Sequence, residues 1–159
     1  MIYIDKKICE EKDNNGNNIT IWYGDQLANS KAMPLFLKTY AELLEKEFTT
    51  LYHIPWNDSN RFNVVYCTDD HDNVLGGIAY EYRALIQQGW IILNFTNPDY
   101  RGKRINGIVH KYFENAIRER GGHQIACQVN ISNQSSLKAI ERTGMKPQLY
   151  SMHKWIDNI

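Results

Sequence analysis

The sequence predicts one mixed α/β domain over residues 1–159, with elements in the order ββ, α, βββ, α, β, α, β(β). Three observations carry that expectation. Short apolar runs with period-two alternation recur between turn signals. Ile105, Ile108, Val109, Tyr112, Phe113, Ala116 and Ile117 repeat at i, i+3, i+4, i+7, i+8, i+11 and i+12, the signature of an amphipathic helix. That helix falls between two strand-like runs, 89–96 and 123–129, which is the pattern of a parallel crossover.

The elements follow in order. Ile2–Ile8 and Ile19–Tyr23 read as two strands joined by the turn "DNNGNN" at 13–18, giving an N-terminal hairpin. Asn29 and Ser30 precede a helix whose stripe is Met33, Leu37, Tyr40, Leu44 and Phe48, with Pro34 tolerable in its first turn. The aromatic stretch 51–60 is irregular. "RFNVVYCT" (61–68) alternates like a strand, and "DDHDN" (69–73) turns it into the next, 74–84. A short connection around Gln87 and Gln88 leads to 89–96. Gly121 and Gly122 stop the long helix. Residues 123–129 form a buried strand, 133–144 a short helix with an Asn start and a Gly stop, and 145–156 one or two final strands.

Composition narrows the function classes. Lys and Arg number 18 and Asp and Glu 18, so no global charge draws the chain to nucleic acid or an anionic membrane. Cys9, Cys67 and Cys127 are far apart and odd in number, as expected of free thiols in a reducing compartment. The N-terminus lacks the apolar region of a signal peptide, and no apolar run approaches the roughly 20 residues that span a bilayer. The expectation is a cytoplasmic protein. The five histidines have no zinc spacing with the cysteines, so no metal is expected.

Against that neutral background, Arg101, Lys103 and Arg104 crowd the start of the long helix in "NPDYRGKRINGIVHKYF" (97–113). A helix N-terminus already presents unpaired N–H groups and about half a positive charge. Cations placed there are mildly unfavourable unless an anion joins them, and guanidinium and ammonium groups bind phosphate oxygens well. Either the loop holds an anion or its charges are simply solvated.

The stretch 97–113, followed by "NQSSLKAIERTGM" (133–145), resembles the GNAT superfamily of acyl-CoA-dependent N-acyltransferases. The family's phosphate loop reads Arg/Gln-x-x-Gly-x-Gly/Ala, usually after Pro-x-Tyr; Pro98, Tyr100, Arg101 and Gly102 match it. Its later motif begins Asn-x-x-Ala/Ser, matched by Asn133 and Ser136, with Gly144 and Met145 closing the segment. Arg104 and Asn106 stand where the loop pattern has glycines, with Gly107 one place beyond, and Ile140 stands where many members have a proton-donating tyrosine.

The resemblance implies a mostly antiparallel central sheet of six to seven strands flanked by helices and splayed between 89–96 and 123–129. It implies acetyl-CoA as donor, an amine as acceptor, and transfer of acyl groups other than aminoacyl groups. Arg101, Gly102, Lys103, Arg104, Asn106 and Gly107 would hold the pyrophosphate. Backbone amides of the strand at 89–96, at Phe95 and Thr96, would hold the pantetheine and the thioester oxygen. Asn133 and Ser136 would line the cofactor slot, although Asn133 could equally be a helix cap and Ser136 a small first-turn residue.

Glu81 is the candidate general base. It shares a strand face with residues 77, 79 and 83, and an even connection to the next strand would add Trp90, Ile92, Asn94 and Thr96 to that face. Its structural alternative is an ion pair with Arg83 or another cation. Tyr150 is the candidate acid, or a packed tail aromatic. Cys127 in "QIACQVN" reads as an inert buried thiol, so direct transfer is expected over an acyl-enzyme. Residues 52–56, with Trp22 and Tyr23, could wall the acceptor site or simply pack. Competing readings are a non-catalytic binding module on the same fold, transfer from an acyl carrier protein, and a nucleic-acid-binding domain, the last disfavoured by zero net charge. The acceptor could be a small molecule or a protein amine, and the chain a monomer or a homodimer.

Overall fold

The computed structural model describes residues 5–46, 62–129, 133–149 and 152. These build a six-stranded sheet in the order β1-β2-β3-β4-β5-β6. The strands are β1 (Lys6–Lys12), β2 (Asn18–Gly24), β3 (Asn63–Thr68), β4 (Val74–Arg83), β5 (Gln88–Thr96) and β6 (Gln124–Ala126). The helices are α1 (Met33–Lys46), α2 (Ile105–Glu119) and α3 (Gln134–Glu141). The first five strands pair antiparallel, and β6 joins β5 in parallel after the α2 crossover.

Two hairpin turns are built alike. In 13–17 the Asp13 carboxylate accepts from the N–H groups of Asn15 and Asn17 and from the Asn17 side chain. In 69–73 Asp69 does the same with His71, Asn73 and the Asn73 side chain. Each turn has its fourth residue at positive φ, Gly16 at 80° and Asp72 at 67°. An aspartate that satisfies the turn's own amides lets the strands run right up to it. β1 accordingly runs on to Lys12, past the expected end at Ile8, while residues 2–4 of the expected strand lie outside the described residues.

The sheet separates two cores. On one face Val109, Phe113 and Ile117 of α2 pack on Ile21, Val65, Ile78, Tyr80 and Ile91. The α2 stripe is the one its periodicity predicts, with His110 also buried. Gly121 at φ 83° and Gly122 close the helix, their N–H groups returning to Arg118 O and Ile117 O, both at 2.9 Å. This is a left-handed helix stop that favours glycine. On the other face Ala32, Phe36 and Tyr40 pack on Val64, Tyr66, Ala79 and Phe95. The α1 stripe keeps Tyr40 in the core and Met33 against it, as expected, but not Leu37. Phe36 meets Phe95 edge-on at 6.0 Å and takes the core position, leaving Leu37 36% exposed. The expected stripe residue Phe48, the side chain of Leu44, and the stretch 51–60 lie outside the described residues.

β6 is shorter than its apolar run suggests, because pairing with β5 ends at Trp90–Ala126. Of the expected tail strands, 145–149 is not extended into a strand, and most of the remainder lies outside the described residues.

Candidate active site

Where β6 leaves β5, the edge of β5 from Ile91 to Thr96 is left without a strand neighbour on that side among the described residues. β5 also carries a bulge. Ala79 faces Leu93 and Tyr80 faces Ile91, so Ile92 is the extra residue. The splay and the bulge together leave strand N–H and C=O groups free at the mid-sheet opening, the kind of fixed dipole array that can hold an amide chain or a developing oxyanion.

The bulge also re-sorts the side chains. The connection Ala84–Gln87 is even, so Trp90 lies opposite Glu81 as expected. Beyond Ile92 the faces exchange: Asn94 pairs with Ile78 and Thr96 with Gly76. Both therefore lie on the α2 face, while Glu81 lies on the α1 face with Ala79. The expected polar strip of Glu81, Asn94 and Thr96 does not form. The fault lies in counting a regular alternation through a bulged strand. Glu81 is half-buried and forms no ion pair among the described residues; its nearest candidate, Arg83, lies over the Trp90 ring at 4.2 Å. Glu81 stands in the row Glu81–Trp90–Ala126, where the parallel pairing ends.

At the C-terminal end of β5 the chain enters a 3-10 turn, Pro98–Tyr100, capped by Asn97, whose side chain accepts from Asp99 N. The Asn97 N–H is tied to Leu75 O at 2.8 Å. The loop then passes Gly102 at φ 80° and Arg104 at φ 57° into α2. Among the described residues no side chain caps this helix start. Arg101 and Arg104 are exposed, and Lys103 lies half-buried over the Tyr100 ring at 4.9 Å. Three cations thus lie within the four residues that lead into this uncapped helix start. Arg104 occupies the left-handed conformation that the glycine of the loop pattern would adopt without strain. Gly107 is exposed, and a Cβ there would meet nothing within 4 Å, so packing does not demand the glycine.

Two side-chain oxygens, Asn94 Oδ1 on the β5 segment beside the opening and Asn106 Oδ1 in the first turn of α2, are buried without a hydrogen-bond partner among the described residues. Such groups call for water or a ligand. Phe95 is 1% exposed in the α1-side core, so its side chain is structural and only its backbone faces the opening. Asn133 caps α3 by accepting from Ser136 N at 3.2 Å, which is the helix-cap use of that residue. Tyr150 lies outside the described residues. Trp22 and Tyr23 are adjacent in β2 and pack into opposite cores, so they do not share a wall.

Two of the three thiols are poor nucleophiles. Burial pushes Cys67 up to about 12 and also raises Cys127. Among the described residues no cluster of three metal-ligating groups occurs. No helix among them is long and apolar enough to cross a membrane.

Residues 26–145 match the Acetyltransferase (GNAT) family. The chain belongs to that family. No curated protein sequence matches it. Its fold resembles an aminoglycoside acetyltransferase from an uncultured soil metagenomic sample, at TM-score 0.64 and 14% identity over 87% of this chain and 99% of that one. It also resembles a ribosomal-protein-alanine N-acetyltransferase from Brucella melitensis, at TM-score 0.63 and 16% identity over 87% and 99%. A possible acetyltransferase from Clostridium difficile gives 0.62 and 17% over 89% and 99%. At these identities the likeness establishes the GNAT fold.

The sequence reading missed how the basic loop is held. Tyr100 donates its hydroxyl to Asp69 Oδ2 at 3.1 Å, and the charge of Lys103 acts on Asp13. Both aspartates belong to the matched D-x-x-x-N turns, and that spacing was the available signal.

Proposed function

We propose that this GNAT protein is an N-acetyltransferase that moves an acetyl group from acetyl-CoA directly to an amine. The observation that carries the reading is the uncapped start of α2, preceded in the chain by Arg101, Lys103 and Arg104 and following the strand from which β6 parts. A pyrophosphate fits that donor set: backbone N–H groups aim at it, and the cations supply charge-assisted hydrogen bonds. Gly102 and Gly107 leave its approach open. Asn106, Asn133 and Ser136 stand as further cofactor-side residues. The free edge of β5 at Phe95 and Thr96 would align the pantetheine and polarise the thioester carbonyl.

In the transfer, Glu81 takes a proton from the acceptor ammonium or amine. It lies one strand spacing, about 5 Å, from β5 and about 10 Å from the β6 row, so the proton passes through water. The amine nitrogen forms the bond to the acyl carbon, the carbon–sulfur bond breaks, and the thiolate of CoA leaves with a proton from Tyr150. Ile140 stands where many relatives have a tyrosine and cannot donate, which puts the acid role on another residue. The raised thiol pKa values support direct transfer over an acyl-enzyme. The transferred group is acyl and not aminoacyl. The acceptor is a small-molecule or protein amine, the classes named for the aminoglycoside and ribosomal-protein neighbours. Three free cysteines support a cytoplasmic setting.

The test is thiol release from acetyl-CoA across a panel of amines, aminoglycosides and peptide N-termini included. An accepted amine should lose turnover by about a hundredfold or more in Glu81→Gln. A panel without turnover by protein that binds acetyl-CoA would favour the second reading, a binding module, which Ile140 supports.

A further inference from the structure

Among the described residues, one side-chain hydrogen bond ties the basic loop to a distant turn, and the chemistry above does not use it. The Tyr100 hydroxyl donates to Asp69 Oδ2, across 31 residues of sequence. Asp69 is the hub of the β3–β4 turn. Its Oδ1 accepts the N–H groups of His71 and Asn73 at 2.9 Å each, and its Oδ2 accepts the Asn73 side chain at 3.0 Å. The carboxylate cannot swing without breaking the turn. It is therefore a fixed acceptor, and Tyr100 is fixed by it. The Tyr100 ring in turn lies beneath the Lys103 ammonium, and Arg101 and Gly102 follow directly in the chain.

We infer that Asp69 and Tyr100 form a positioning pair that holds the 101–104 loop in its anion-ready shape before any ligand arrives. The need for such a pair follows from the charge. Arg101, Lys103 and Arg104 repel one another and the positive end of α2, and Arg104 is held in the left-handed region that a non-glycine residue adopts at a cost. A free loop would relax away from that arrangement. The pair opposes the relaxation without placing a bare negative charge at the anion site, because Asp69 is already saturated by four donors. The electrostatics agree. Burial raises the Asp69 pKa, but hydrogen bonds from Asn73, Tyr100 and His71 outweigh it and hold the carboxyl below its usual range. Tyr100 is raised, first by its bond to Asp69. Asp72 of the same turn is paired with Lys31, just before α1, which anchors the turn on its far side.

This inference names acetyl-CoA as the anion only through the proposed function, so its test has an arm that needs no ligand. The loop carries its own tryptic sites at Arg101, Lys103 and Arg104. In free protein, Tyr100→Phe keeps the ring under Lys103 and removes only the hydroxyl. It is expected to raise the rate of nicking at 101–104 several-fold, with cleavage at Arg118 and Arg120 unchanged. Asp69→Asn keeps an acceptor for the turn amides and should act in the same direction, and the double variant should add little to either. In the second arm, Tyr100→Phe should raise the Kd for acetyl-CoA about fivefold to tenfold while turnover at saturating donor stays at the wild-type level. Unchanged nicking would overturn the inference, as would unchanged affinity in a variant of a wild type that binds. Faster nicking at all sites together would overturn it too, since the hydroxyl would then serve general stability. A wild type that binds no acetyl-CoA but nicks faster in Tyr100→Phe would sink the proposed function and uphold the pair.

Discussion

Arg104 shows at the scale of a single residue why a motif can be matched in outline and departed from in detail. Its φ of 57° is the conformation for which the family's loop pattern uses glycine. A side chain there costs about 1–2 kcal/mol, and glycine would return part of it as unfolded-chain entropy, roughly 0.4–1 kcal/mol. Arg104→Gly should therefore unfold in denaturant at a midpoint no lower than the wild type. Gly102→Ala, at φ 80°, should lose about 1 kcal/mol by the same measurement. The same scale settles the cysteines. Burial raises Cys127, so Cys127→Ala should keep turnover, and intact-mass spectra of protein treated with acetyl-CoA should show no acylated species. The sequence could announce Arg101, Lys103 and Arg104 because charge is local. It could not announce the backbone angle at Arg104, which depends on how the loop meets α2.

Among the elements, α2 was the most legible, because thirteen residues of sustained periodicity leave only one face to bury. Its His110 was not legible. It is 7% exposed, with Nε2 unpartnered, Nδ1 3.2 Å from Glu114 and its ring against Phe113. Burial holds its pKa below the ordinary imidazole value of 6.5, with Glu114 pulling the other way. The folded state thus binds fewer protons than the unfolded one. Its stability is fully present above the unfolded value and is lost as pH falls through 6.5 toward the lowered folded value. Melting temperature should drop between about pH 7.5 and about pH 5.5, and His110→Gln should show a smaller drop over the same window. β5 is the opposite case to α2. Its alternation was readable, but the bulge at Ile92 moved Asn94 and Thr96 to the far face. Bulges leave no trace in polarity, so the polar strip drawn through Glu81 failed where the helix stripe succeeded.

Over the whole molecule, the order of elements and the parallel crossover followed from turn signals and periodicity, while the location of the opening followed from pairing. β6 stops at Ala126, though its apolar run continues, and that early stop is what separates it from β5. With zero formal net charge over the chain, the proposed anion contacts rest on the local charge of the 101–104 loop. Acetyl-CoA binding should accordingly weaken as salt is raised, since these contacts are exposed and screened within about 10 Å at 0.1 M. The measurement that bears most directly on the account is calorimetric titration of acetyl-CoA into the wild type and into the Arg101→Ala, Lys103→Ala, Arg104→Ala triple variant. Micromolar binding is expected of the wild type and a loss of about a hundredfold or more in the variant, the sum of two or more charge-assisted hydrogen bonds. Equal binding by the two proteins, or none by the wild type, would contradict it.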